Sequence, residues 1–139
     1  MAVTFGSPEW AAAYEKLLKE SSEFKEAAKG LTTSLSVHIL EAPEYGFEET
    51  YCRFEFSDGE VKSVGIVPEE EGAEAAIVNT GSYETWKSVA KEGVDTMKLV
   101  MGGKLRLKGD LAYVMRYNTA TQIMLALLQK IDTSYPDEE

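Results

Sequence analysis

Histidine and cysteine are almost missing from this chain: His38 and Cys52 are the single examples of each among 139 residues. One cysteine excludes an internal disulfide and fits a reducing compartment. One histidine excludes a histidine-based metal cluster and leaves no second imidazole for a relay. Long apolar runs are absent too, and nothing approaches the ~20 residues that span a bilayer. The N-terminus lacks the basic start and apolar stretch of a secretory leader. The C-terminus, Pro136-Asp137-Glu138-Glu139, reads as an acidic tail and not as a peroxisomal tripeptide. The expected location is the cytoplasm. Basic residues are outnumbered 14 to 24 by acidic ones, for a net charge of -10. That balance argues against nucleic acid as a partner, because phosphates call for a basic surface.

What charge there is has been sorted. Lys87, Lys91, Lys98, Lys104, Arg106, Lys108 and Arg116 face only Glu92, Asp95 and Asp110 between positions 87 and 116, so this window is +4 and the remainder -14. A solvated surface accounts for such a window; so does a landing site for an anionic head group. The chain length suits one domain with a core of useful size.

Ser7-Pro8-Glu9 has the capping serine, first-position proline and early acid of a helix start. Trp10, Ala13, Tyr14, Leu17 and Leu18 then repeat on one helical face. A second short helix carries Phe24, Ala27 and Ala28 up to Gly30. From Leu31 to Ile39 the period changes to two, the mark of a strand. A loop through Pro43 and Gly46, a strand from Phe47 to Phe56, an Asp58-Gly59 hairpin turn and a strand from Val61 to Val67 follow. Glu69-Glu70-Glu71 reads as an exposed loop and Ala73–Thr80 as a fourth strand. Ser82 and Asp95 cap two more helices, the first stopping at Gly93. Val94 and Leu99 have the spacing of a hydrophobic staple around the second.

The centre of interest is Met101-Gly102-Gly103-Lys104-Leu105-Arg106-Leu107-Lys108-Gly109-Asp110. Leu105 and Leu107 alternate with Lys104, Arg106 and Lys108, as in a half-buried strand. Asp110 is placed to cap the helix that follows. A capping box of Thr119 and Gln122 then opens a last helix running to Ile131. On that helix Ile123, Met124, Leu125, Leu127, Leu128 and Ile131 cover roughly 200° of the circumference, about twice the apolar stripe that a surface helix needs. It therefore requires cover on two sides: the sheet, and a helix, a second subunit or a ligand. Met97, Met101, Met115 and Met124, four of five methionines, crowd the same third of the chain as Trp86. Thioether side chains adapt to varied shapes and suit an apolar ligand cavity.

The residues that could carry chemistry offer little. His38 belongs to the polar side of a strand, where a surface or hydrogen-bonded role suffices. Cys52 shares a face with Phe54 and Phe56 and reads as a buried, inert thiol. Gly102-Gly103-Lys104 is a fragment of a phosphate loop without the rest of its pattern. Catalytic residues, metals and cofactors are not expected.

Taken together, Gly81, Trp86, Gly93 and the run from Met101 to Asp110 resemble the sterol carrier protein type-2 domain family, whose most recognisable segment is Gly-Lys, alternating apolar residues, then Gly-Asp. Here Gly103-Lys104, Leu105, Leu107 and Gly109-Asp110 occupy those places. The resemblance spans roughly residues 31–131, leaving 1–30 as a two-helix cover and 132–139 as an acidic tail. It implies an α+β fold, a five-stranded mixed, mostly antiparallel sheet with helices packed on one face. It also implies a non-catalytic tunnel for a fatty acid, fatty acyl-CoA or related lipid. The expected lining is Trp86, Met97, Val100, Met101, Leu105, Leu107, Leu111, Met115, Ile123, Met124, Leu127 and Leu128. Lys98, Lys104, Arg106 and Lys108 are the expected head-group contacts. The alternative is an accessory or dimerisation module, its apolar last helix covered by a second copy or by a partner lipid enzyme.

Overall fold

In the computed structural model, residues 2–138 are described. A two-residue strand, β1 (Val3–Thr4), leads into α1 (Pro8–Glu20), which begins where Ser7 Oγ accepts the Trp10 amide at 3.2 Å. Ser21 caps α2 (Ser22–Ala27) in the same way. The strand β2 (Thr33–Ile39) and the hairpin of β3 (Thr50–Ser57) and β4 (Glu60–Val67) follow. The hairpin turn has Asp58 and Gly59 both at positive φ, 49° and 84°, as a two-residue turn between right-twisted strands requires. Gly59 is needed twice over, since a Cβ there would press on the Ala28 carbonyl.

The three glutamates after Pro68 do not form a loop. They open a short helix, α3 (Glu69–Ala73), whose acids sit in the first turn where the helix dipole favours negative charge. The strand β5 (Ile77–Gly81) is shorter than the expected 73–80. Then come α4 (Tyr83–Glu92), α5 (Thr96–Met101), β6 (Leu105–Lys108), α6 (Leu111–Arg116) and α7 (Asn118–Leu128). Asp110 caps α6, its carboxylate accepting the Tyr113 amide at 3.1 Å. The expected Thr119–Gln122 capping box is not formed. The helix α7 already begins at Asn118, so Thr119 lies inside it, and no side chain caps its first turn. Its end at Leu128 also falls short of Ile131, which is nevertheless buried.

The main sheet runs β4-β3-β2-β5-β6 and is antiparallel except for the central β2–β5 pair. This is the expected α+β, five-stranded mixed sheet. Its register separates two faces. Leu35, Val37, Phe54, Ile77, Asn79, Leu105 and Leu107 share one, because Val37 pairs with Cys52 and Asn79, and Asn79 with Leu107. The helices α1, α2, α4 and α7 cover that side, packing against each other and against the sheet. Ser36, His38, Tyr51 and Arg53 occupy the other, where α3 lies over them: Ser36 Oγ donates to the Gly72 carbonyl at 2.7 Å.

The tail is also structured. Residues Thr133–Ser134 form β7, parallel to β1 in a second, two-stranded sheet. Tyr135 is buried against Phe5, and Asp137 receives hydrogen bonds from the Tyr83 hydroxyl at 2.6 Å and Lys87 Nζ at 2.8 Å. Neither short strand has enough residues to show a period in sequence.

Candidate functional site

Helix and sheet do not close on each other completely. Between the helical layer and the core face of the sheet lies a cavity of about 120 Å³. Its floor is the sheet: Thr33, Leu35 and Val37 from β2, Phe54 and Phe56 from β3, Ile77 and Asn79 from β5, and Leu107 from β6. Its roof is built from Tyr113, Val114 and Tyr117 at α6, and from Ala120, Thr121, Met124, Leu125 and Leu128 of α7, with Trp86 and Val89 of α4 at one side. Leu35 and Val37 stay half-buried although they lie in the middle strand beneath helices. Their open surface is the cavity wall.

Three contacts set the position of the roof. The Tyr14 hydroxyl of α1 donates to the Met124 carbonyl of α7 at 2.8 Å. That hydroxyl is fully buried, and burial holds its pKa far above the ordinary phenol value. Tyr113 of α6 reaches Thr32 just before β2, accepting its amide at 3.0 Å. Trp86 donates its indole N–H to the His38 carbonyl at 3.0 Å, which fixes α4 to the end of β2. The Trp86 contact depends on Gly81, where any Cβ would collide with Leu105 and crowd the indole nitrogen.

Of the residues expected to line a tunnel, Trp86, Leu107, Met124 and Leu128 are in the cavity wall. Leu105 is fully buried but packs as core beneath Gly81. Met97, Val100, Leu111, Ile123 and Leu127 are half-buried outside the wall. Met101 and Met115 face outward, 78% and 56% exposed. Of these four methionines, Met124 alone lies in the cavity wall. Apart from Leu107, the sheet floor was not among the expected positions, nor were Tyr14 and Leu31, because an inward strand position reads as ordinary core until a gap is seen above it.

The basic residues divide. Arg106 pairs with Thr80 and Lys108 with Val78, so both lie on the sheet face turned away from the cavity. Strand alternation forbids Leu107 and its two basic neighbours from meeting one ligand on one side. Lys98 on α5 and Lys104 in the turn before β6 lie outside that strand and are exposed. Lys87 and Lys91 are engaged by Asp137 and Glu138 of the tail.

The titratable groups elsewhere form straps. His38 is held between Thr80 Oγ1 at 2.9 Å and Glu49 Oε2 at 2.6 Å, with the Tyr51 ring stacked on it at 4.0 Å. This chain of contacts ties β2 to β5 on the face opposite the cavity. Burial pushes the Cys52 thiol up to about 12, so it stays protonated and unreactive at neutral pH.

A five-stranded sheet with a helical layer is also what comparison with known proteins finds. The profile of the SCP-2 sterol transfer family matches residues 14–122. The chain belongs to that family. Membership in the SCP-2 family makes this a lipid-binding and lipid-transfer fold. The match starts within α1 and ends within α7. A crystal structure of sterol carrier protein 2 superposes with a TM-score of 0.82 at 27% identity, covering 91% of this chain and 98% of that one. The solution structure of a conserved protein from Thermus thermophilus, described as possibly a sterol carrier protein, gives 0.83 at 25% identity over 96% and 94%. The apo form of sterol carrier protein 2 from Yarrowia lipolytica shares the fold, at 17% identity and a TM-score of 0.56 over 94% and 97%. A search of curated protein sequences finds no significant match. No described helix is long and apolar enough to cross a membrane.

Proposed function

We propose that this protein binds a lipid by its apolar chain, a fatty acid or fatty acyl-CoA, and carries or presents it without chemical change. The observation that carries this reading is the cavity itself: an unfilled apolar space in a chain of a lipid-transfer family, placed between sheet and C-terminal helices. Apolar cavities of ~150 Å³ in other proteins stay dry and take up a benzene-sized guest. The space here therefore admits a short stretch of hydrocarbon, and a long chain requires the roof to lift. The helices α5 and α6 bury no residue fully, so they are the parts that move at least cost. A chain burying on the order of 300 Å² gains roughly 7 kcal/mol before ordering costs, enough for useful affinity with no polar contact. Lys98 and Lys104 are the bases available to an anionic head group. The unreactive Cys52 and the absence of a disulfide favour a cytoplasmic setting.

The test is uptake of a fluorescent fatty acid by purified, delipidated protein. Wild type should bind it, and Met124→Asp, which puts a charge in the roof, should abolish uptake while circular dichroism stays native. Undiminished uptake by the variant overturns the cavity as the binding site.

Outward-facing Met101 and Met115 favour a second reading, a module that docks another chain. Native mass spectrometry separates the two: lipid adducts on a monomer support the carrier, and a lipid-free dimer supports the module.

A further inference from the structure

The cavity wall is largely apolar, and the fold leaves two of its polar atoms without a partner. Among the described residues, two buried side-chain nitrogen or oxygen atoms have no hydrogen-bond partner, Asn79 Oδ1 and Trp10 Nε1. Both residues line this cavity. Asn79 is 7% exposed and sits in the middle of the floor. Its cross-strand neighbours are Val37 and Leu107, and Ile77 and Gly81 flank it on the same face of β5. None of these four neighbours has a side chain that can serve the amide. Buried amides are almost always paired, because an unpaired one carries its desolvation cost uncompensated. A leucine would fit the pattern of this face; an asparagine there answers to something that enters the cavity.

We propose that the cargo carries a hydroxyl part-way along its chain and that Asn79 is the residue that recognises it. The inference rests on the carrier reading above and specifies the class of lipid. A hydroxyl suits the site because it can donate to Oδ1 and, with the amide turned over, accept from Nδ2. An ionised carboxylate does not suit it: among the described residues no base lines the cavity, and an unpaired charge in apolar surroundings is far more costly than a neutral hydroxyl. The head group therefore stays outside while the hydroxylated chain lies across the sheet. Asn79 is thus a specificity-determining residue and not an affinity anchor, since the hydrocarbon supplies most of the binding.

The experiment compares oleate with ricinoleate, which differ by one hydroxyl along the chain, as competitors that displace a fluorescent fatty acid. Wild type should bind ricinoleate about tenfold more tightly, the size of one buried hydrogen bond gained together with one unpaired group relieved. In Asn79→Leu that ratio should fall to near one. Thermal melting of the variant should be unchanged or higher, since the substitution removes an unsatisfied polar group. Equal affinities of wild type for both acids would overturn the hydroxyl inference and leave the carrier reading standing. A preference for ricinoleate that survives in Asn79→Leu would assign the recognition elsewhere and overturn the role of Asn79. Failure of wild type to bind even the fluorescent acid would overturn both.

Discussion

The two ends of the helical layer are built to different standards. The helices α1 and α4 bury four side chains each, and Phe5 alone meets the rings of Trp10, Phe47, Tyr83 and Tyr135 at 5.2 to 6.0 Å. The tail then closes over this end through Tyr135, Asp137 and Glu138. At the other end α5 and α6 bury nothing completely, two methionines point outward, and Thr96, Tyr113 and Val114 supply their share of the cavity wall. Local stability follows buried contact, so the same domain contains a part that opens last and a part that opens first. A carrier needs this division. If the whole layer were packed like α4, no chain could enter; if it were all packed like α6, the domain would not hold its fold.

Single truncations break the comparison most directly. Leu18→Ala, at a fully buried side chain of α1, should cost about 2–5 kcal/mol in urea unfolding. Leu111→Ala in α6 should cost about 1 kcal/mol or less, because the site is half open already. Equal costs would remove the distinction between the two ends. Ligand sharpens it next. Bound fatty acid at a hundredfold excess over Kd should stabilise the protein by ~2.7 kcal/mol. The accompanying slowing of hydrogen exchange should be concentrated in residues 96–128 and be small in 8–20.

How far these differences were visible in the sequence depends on the kind of signal. The helix start at Ser7-Pro8, the period-two strands and the Asp58-Gly59 turn are local devices, and local devices read directly. The pairing of β1 with β7 has no such signal: two residues show no periodicity, and their partners lie at opposite ends of the chain. The acids at 69–71 look like a loop because charge is solvated in either state; only their dipole-favoured place in a first turn makes α3. Arg106 and Lys108 teach a different lesson. Their alternation with Leu105 and Leu107 was visible, and it already placed them opposite any ligand that touches Leu107. Asn79 became legible once register put it between Val37 and Leu107, for in sequence it is one polar residue in a strand of only five.

The tail makes a smaller, pH-dependent contribution at the well-packed end. Hydrogen bonds from Lys87 and from the Tyr83 hydroxyl hold the Asp137 carboxyl below its usual range, and Lys87 and Lys91 do the same for Glu138. A carboxylate whose pKa is depressed on folding stabilises the fold fully above its unfolded value and loses that contribution as pH falls through the folded value. Melting temperature should therefore drop on acidification below about pH 4. Asp137→Asn should melt lower at neutral pH, by no more than about 1 kcal/mol after solvent screening, and should show a shallower acid drop than wild type. Identical acid profiles would mean that the tail is not latched in solution.

The smallest effect is expected where the two ends differ most. Met101→Ser and Met115→Ser alter the most exposed large apolar side chains of α5 and α6, and each should change stability by less than about 0.5 kcal/mol. A serine at the last or second-to-last position of such a short helix removes no packing, since neither helix buries a residue there. The measurement discriminates because exposure is a property of the isolated chain. If either substitution costs more than about 1 kcal/mol, with a loss that grows on dilution, the methionine is covered by a second copy in solution. The loosely packed end would then be an interface as well as a roof, and its looseness would belong only to the monomer.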